Sequence, residues 1–248
     1  MSASTHYDEQ GFLAPVDILT AGEVAHARAM FDKIEQQLGT DTAQLGLVQR
    51  HLDNADIWSL ASHPNVVQAA ADALGDDVVL VATHFFCKYP SKSKGEKFVA
   101  WHQDVTYWGF EPPIAATIWL AIDDADVQNG AMRVIAGSHK VGLIEHGKSQ
   151  REGNLLSVNQ AVPDNFVDES KAVDIILKAG QASVHDGLLI HGSNPNLSDR
   201  RRCGLTIRFT TPEIRFTHDP NTKTMWAPML MRGQDRFGRL KMQPHPTF

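Results

Sequence analysis

The chain is predicted to be mainly β, an antiparallel sandwich or jelly roll with helices packed outside it. Three observations predict this. Residues 1–76 carry helix punctuation and helical spacing of apolar side chains. Residues 77–211 break into short runs rich in β-branched and aromatic residues. Glycine, proline and asparagine separate those runs at close intervals. The length of 248 residues with 42% hydrophobic side chains suits one elaborated domain with its own core, and no repeat or low-complexity linker divides it.

Taken in order, Thr20-Ala21-Gly22-Glu23 has the form of a capping box, in which the Thr and Glu side chains satisfy N-terminal helix amides reciprocally. Val24, Ala27, Met30, Phe31, Ile34 and Leu38 follow at helical spacing, and Gly39 is expected to stop that helix. A second helix is expected over 65–74, ended by Gly75. Strands are expected over 78–89, 98–104, 114–122, 131–135, 175–177, 182–185, 188–191 and 204–209. Pro112-Pro113, Asn129-Gly130, Gly137-Ser138, Gly180, Asp186-Gly187 and Asn194-Pro195 mark the turns between them. Residues 142–170, long and polar, read as an insertion of the kind that serves as a lid. Residues 212–248 carry Arg215, Arg232, Arg236, Arg239 and Lys241 and read as a solvated C-terminal wrap or lid.

A net charge of −6 lacks the basic footprint that non-specific nucleic-acid binding needs. Two cysteines, Cys87 and Cys203, make neither a metal finger nor a disulfide scaffold, and Cys87 lies in an apolar run that suits a buried thiol. The polar N-terminus has no apolar core of a signal peptide, and no run approaches the ~20 apolar residues of a membrane helix. A soluble cytoplasmic protein is expected, with no nucleic-acid or membrane partner and with its oligomeric state open.

The chemistry concentrates in Trp101-His102-Gln103-Asp104, His191-Gly192-Ser193 and Arg202. A histidine and a carboxylate two residues apart, with a distant second histidine, form the ligand set of a 2-His-1-carboxylate facial triad, which leaves coordination positions open on a non-haem Fe(II). On a strand, alternation would turn His102 and Asp104 to one face and Gln103 to the other. His185-Asp186 competes with His191, but Asp186-Gly187 reads as a turn. Zinc suits three such ligands as well; Arg202, placed to grip a carboxylate on a cosubstrate, favours iron. Arg200 and Arg201 adjoin a loop and read as solvated, whereas Arg208 shares strand parity with Arg202 and is expected to line the same cavity.

The whole set, together with Asn129-Gly130 and Gly137-Ser138-His139, resembles the phytanoyl-CoA dioxygenase-like family of Fe(II)/2-oxoglutarate oxygenases over roughly residues 85–209. The resemblance implies a double-stranded β-helix (jelly-roll, cupin-like) core. It implies His102, Asp104 and His191 as iron ligands and Arg202 as partner of the distal carboxylate of 2-oxoglutarate, with Ser193 assisting and Gln103 near the cosubstrate. It also implies hydroxylation of a C–H bond with O₂ as the other cosubstrate. Related halogenases have a small residue in place of the carboxylate, so Asp104 disfavours halogenation.

Substrate signals are fewer. Tyr107 and Trp108 follow the metal motif and read equally as pocket wall or as core, and Lys88, Arg133 and Arg208 are strand cations that would favour an anionic small molecule if two of them face the cavity. The stretch from Lys88 to Gly109 is similar to family members acting on small soluble metabolites, bacterial 2-aminoethylphosphonate hydroxylases among them. Amino acids, betaines and natural-product intermediates stay open; an acyl-CoA is disfavoured by the lack of a basic patch in the strand region. The rivals from other classes are a non-enzymatic cupin-like binding protein and a zinc hydrolase or isomerase.

Overall fold

The computed structural model describes residues 3–156, 159–217 and 226–248. Residues 1–2, residues 157–158 of the expected insertion and residues 218–225 of the expected wrap lie outside the described residues.

Helix α1 (Ala3–Gln10) leads into strand β1 (Phe12–Asp17), followed by α2 (Ala21–Leu45), α3 (Ala55–Ala61) and α4 (Pro64–Leu74). Both halves of the capping box at Thr20 and Glu23 are formed. Gly39 does not stop α2: its φ of 80° kinks the helix, which resumes and buries Ala43. The short α3 was not anticipated; its signal was Asn54, whose side chain caps Ile57 N at 3.1 Å. Nor was β1, whose Pro15 argues against a central strand. It sits at a sheet edge, where a missing N–H does no harm.

The remaining strands are β2 (Val78–Lys88), β3 (Val99–His102), β4 (Phe110–Glu111), β5 (Ala116–Ala121), β6 (Met132–Ile135), β7 (Gly147–Lys148), β8 (Gln160–Ala161), β9 (Ala172–Asp174), β10 (Gln181–Asp186), β11 (His191–Ser193), β12 (Arg202–Thr210), β13 (Arg215–Phe216) and β14 (Met229–Arg232). A six-stranded sheet runs β1-β10-β5-β12-β2-β14 and a four-stranded sheet runs β3-β11-β6-β9. The pairings in both are antiparallel, as expected for a jelly roll.

Alternation along β12 divides the molecule. Cys203, Leu205, Ile207 and Phe209 join the helices in one apolar core with Phe31, Ile57 and Val66. Each such large side chain stabilises the fold by about 1.5–3 kcal/mol on burial. Arg202, Thr206 and Arg208 turn the other way, into a cavity facing the smaller sheet. The helices thus cover one face of the large sheet and leave the opposite face to the site.

Three expectations are corrected here. The strand expected over 175–177 lies instead at 172–174, where it pairs with β6; Ile175 and Leu177 are buried anchors, Leu177 bridging to Ala125. The segment 188–190 is a turn, and the strand begins at His191. The C-terminal segment is more than a wrap: β14 extends the large sheet along β2, Met229 and Leu240 are buried, and Arg232 and Arg236 pair with Asp76 at 3.1 Å and Asp77 at 2.7 Å. The described part of 142–170 packs on the smaller sheet through Ile144, Val162 and Ile190.

Candidate metal and cosubstrate site

Two strands of the smaller sheet bring the histidines together. His191 opens β11 directly opposite His102, the last residue of β3, and their ring centroids are 4.1 Å apart. Asp104 arrives differently from the strand alternation expected. The strand ends at His102, and Asp104 begins a 3₁₀ turn over Asp104–Tyr107. The turn folds its carboxylate back toward the rings, where Oδ1 lies 3.7 Å from His102 Nε2. From the large sheet, Thr117 donates its hydroxyl to Asp104 Oδ2 at 2.7 Å.

The two imidazoles are set as ligands by their other nitrogens. His102 Nδ1 lies 2.9 Å from Ala100 O and 3.0 Å from His191 O, and His191 Nδ1 lies 2.9 Å from Leu189 O. A carbonyl only accepts, so each Nδ1 carries the proton and each Nε2 keeps its lone pair. One ligand atom from each of His102, Asp104 and His191 falls within 4.8 Å of the others, and all three residues are buried. Neutral imidazoles and an ionised carboxylate are what a divalent metal requires. Burial, and next to it the His102 and His185 rings, pushes His191 far toward its neutral form. Burial is also the largest influence on Asp104 and opposes its charge, but the His102, His185 and His191 rings and Arg208 outweigh it and hold the carboxyl well below the usual range. The residues present therefore fit a facially bound Fe(II).

Arg202 stands at one end of the cavity, 2% exposed, its guanidinium over the Trp119 ring at 4.9 Å. Nη1 donates to Gly130 O at 3.0 Å, while the buried Nε has no partner. The Asn129-Gly130 turn thus supplies the carbonyl that aims this side chain. Burial lowers its pKa to about 10, which leaves it charged at neutral pH. Beside it the fully buried Lys88 donates from Nζ to Ser193 Oγ and to Asn194 O, each at 2.5 Å. Burial first and Arg202 second push the Lys88 ammonium well below the ordinary lysine range. Among the described residues no carboxylate pairs with either cation. Arg200 and Arg201, weighed against Arg202, are tied to Asp126 and to Asp32, Glu35 and Asp123.

The cavity holds about 500 Å³ of empty space and is lined by His102, Asp104 and His191 with Ser193, Arg202 and Arg208. Four other candidates lie elsewhere. Gln103 is turned away: its amide nitrogen donates to Gly142 O and Leu188 O, and its oxygen accepts from Ile144 N, which ties the inserted loop to the strand. Arg133 points outward to Glu169 at 2.9 Å and Asp174 at 3.4 Å. Tyr107 is exposed next to His146. Trp108 packs with Phe110 and Trp226 and touches the site only by lying under Arg208, at 5.1 Å.

Sequence reasoning set His185 aside as a rival to His191 and did not single out Thr117 or Trp119. All three line the cavity. Thr117 becomes visible only through register, as the cross-strand neighbour of both His185 and Arg208. Trp119 needs a glycine at 204, diagonally across the ladder, because a Cβ at Gly204 would fall inside the indole. Gly204→Ala is accordingly expected to destabilise by about 1–3 kcal/mol through overpacking, which is about 2–4 °C in Tm per kcal/mol. An unchanged melting curve would show that the indole has room to move.

Comparison with known proteins agrees with this geometry. The sequence profile of the family described as Phytanoyl-CoA dioxygenase (PhyH) matches residues 7–204. The peroxisomal phytanoyl-CoA dioxygenase of Rattus norvegicus is 21% identical over 230 residues, covering 85% of this chain and 68% of the rat protein. A probable alpha-ketoglutarate-dependent hypophosphite dioxygenase of Stutzerimonas stutzeri is 26% identical over 182 residues, 73% of this chain and 62% of that protein. Among solved structures, the non-heme monooxygenase ThoJ in its apo form aligns with a TM-score of 0.78 at 28% identity, covering 98% of this chain and 88% of that one. The epimerase SnoN, in complex with Fe³⁺, alpha ketoglutarate and nogalamycin RO, shares the fold, with a TM-score of 0.71 at 20% identity over 88% of this chain and 89% of its own. No helix among the described residues is long and apolar enough to cross a membrane. With the profile match extending over most of its length, the chain belongs to the phytanoyl-CoA dioxygenase (PhyH) family and is an iron- and 2-oxoglutarate-dependent dioxygenase.

Proposed function

We propose that the enzyme hydroxylates a C–H bond of a small soluble metabolite, with His102, Asp104 and His191 holding Fe(II) and Arg202 holding 2-oxoglutarate. The carrying observation is the commitment of both Nδ1 atoms to backbone carbonyls, which leaves the two Nε2 lone pairs and one carboxylate at a single point. Bound iron supplies, with O₂ and 2-oxoglutarate, the oxidising power for C–H cleavage, the cosubstrate leaving as succinate and CO₂.

The protein's part is placement. Arg202 has its Nε free to form a charge-assisted bond to the distal carboxylate of 2-oxoglutarate. Lys88 lies next to it and donates a hydrogen bond to Ser193 at the same end. Lys88, read from the sequence as a substrate contact, is reassigned here to the cosubstrate end. A buried guanidinium without a carboxylate partner, beside a lysine whose charged form it disfavours, favours an anionic ligand at this end. Trp119, Phe86 and Leu156 line the same cavity and keep water from the reacting carbon. Asp104 supports hydroxylation over halogenation. An organophosphonate such as 2-aminoethylphosphonate, an amino acid, a betaine and a natural-product intermediate are the candidate substrates.

Anaerobic protein titrated with Fe(II) and 2-oxoglutarate is expected to develop a visible charge-transfer band, and air is then expected to yield succinate. Loading with both and seeing neither band nor succinate would overturn the assignment.

A further inference from the structure

We infer that the cavity holds a second anion-recognition point, at Arg208, which receives an oxyanionic group of the substrate that is oxidised. The inference rests on the placement of iron and 2-oxoglutarate given above and specifies what the remaining space accepts.

Arg202, Thr206 and Arg208 line the cavity from alternate positions of β12. Six residues of strand separate the two arginines by about 20 Å of backbone, at ~3.3 Å per residue. Their surroundings differ accordingly. Arg202 neighbours Lys88 and Ser193, the end assigned to 2-oxoglutarate. Arg208 is on the side of Asp104, whose charge it feels. The two guanidinium groups therefore approach the iron ligands from opposite ends.

Arg208 is poorly accounted for by the protein itself. Its Nε is buried with no hydrogen-bond partner, and among the described residues no carboxylate lies within ion-pair distance. Its guanidinium lies over the Trp108 ring, at 5.1 Å, which orients its plane. Across the sheet, Arg208, Thr117 and His185 are successive cross-strand neighbours on the inner face. Thr117 is occupied by Asp104; His185 Nε2 lies 3.5 Å from Asp104 Oδ2, and neither of its ring nitrogens makes a hydrogen bond. A buried guanidinium and a buried imidazole with unused donors, flanking one carboxylate, form a receptor for a small oxyanion. Carboxylate and phosphonate share that chemistry. Arg133 does not compete, because Glu169 and Asp174 already neutralise it outside the cavity.

The test uses the anaerobic Fe(II)/2-oxoglutarate holoenzyme titrated with methylphosphonate, acetate or uncharged acetamide. Binding is read from relaxation of the probe's methyl protons by the nearby iron. Saturable relaxation is expected for at least one anion and not for acetamide, and the tighter anion separates a phosphonate substrate from a carboxylate one. Arg208→Gln is expected to weaken that anion at least ~10-fold and to leave the 2-oxoglutarate affinity within about twofold of wild type. Should Arg208→Gln fail to fold, Arg208→Lys carries the test, with a loss of about threefold or more for want of a planar fork. Equal anion binding by wild type and either folded variant overturns the proposal, as does acetamide binding as tightly as the anions. Failure of every probe in a protein that still binds 2-oxoglutarate overturns it too, whereas failure to bind 2-oxoglutarate overturns the underlying site assignment.

Discussion

Replacement of Asp104 by alanine is expected to lower 2-oxoglutarate-dependent succinate formation at least ~100-fold, at any concentration of iron or cosubstrate that the protein tolerates. Losing even an outer partner of a metal ligand costs 10–100-fold in affinity or activity, and Asp104 is the sole anion among the three candidate ligands. Two neutral imidazoles remain in the variant, with Thr117 deprived of its acceptor. Thermal shift supplies the check that is independent of turnover. A ligand at 100 times its Kd stabilises a fold by about 2.7 kcal/mol, so wild-type Tm should rise when Fe(II) is added anaerobically, and the Asp104→Ala curve should not. Near-normal turnover by the variant, or an equal metal-induced shift, would remove Asp104 from the ligand set.

Arg202→Gln is expected to act on the other cosubstrate, raising the KM for 2-oxoglutarate by about 30–100-fold, in line with the 2–3 kcal/mol of a charge-assisted bond. Activity should recover in part at high 2-oxoglutarate, which separates this variant from Asp104→Ala. Lysine at the same position should rescue poorly, because an ammonium lacks the planar fork and would sit beside Lys88. Stability in the absence of cosubstrate should change little. Arg202→Gln loses one hydrogen bond to Gly130 and the stack on Trp119, but relieves like-charge repulsion with Lys88. An unchanged KM would mean that the distal carboxylate is held elsewhere, with Lys88 the first alternative.

The sequence was most legible where local rules act. The capping box at Thr20, the strand over β2 and the turn signals follow from hydrogen-bond satisfaction and side-chain alternation, which need only near neighbours. His102 and Asp104 converge by a route other than strand alternation, since a strand ending at His102 hands the carboxylate to a 3₁₀ turn. Gln103 is turned away as alternation predicts, and its amide serves the inserted loop instead of the cosubstrate place the resemblance implied.

Iron and the β-rich fold could be read from residue types and their order, because the ligand chemistry of imidazole and carboxylate is intrinsic to those groups, while 2-oxoglutarate and the reaction class came with the family resemblance of those motifs. Which cations face the cavity could not. Lys88, Arg133 and Arg208 are all strand cations, yet the first lies against Ser193, the second is paired outside, and the third lines the cavity unpaired. Register and sheet packing decide that sorting, and both are set by pairings between segments about 40 to 130 residues apart, whose summed burial no local pattern encodes.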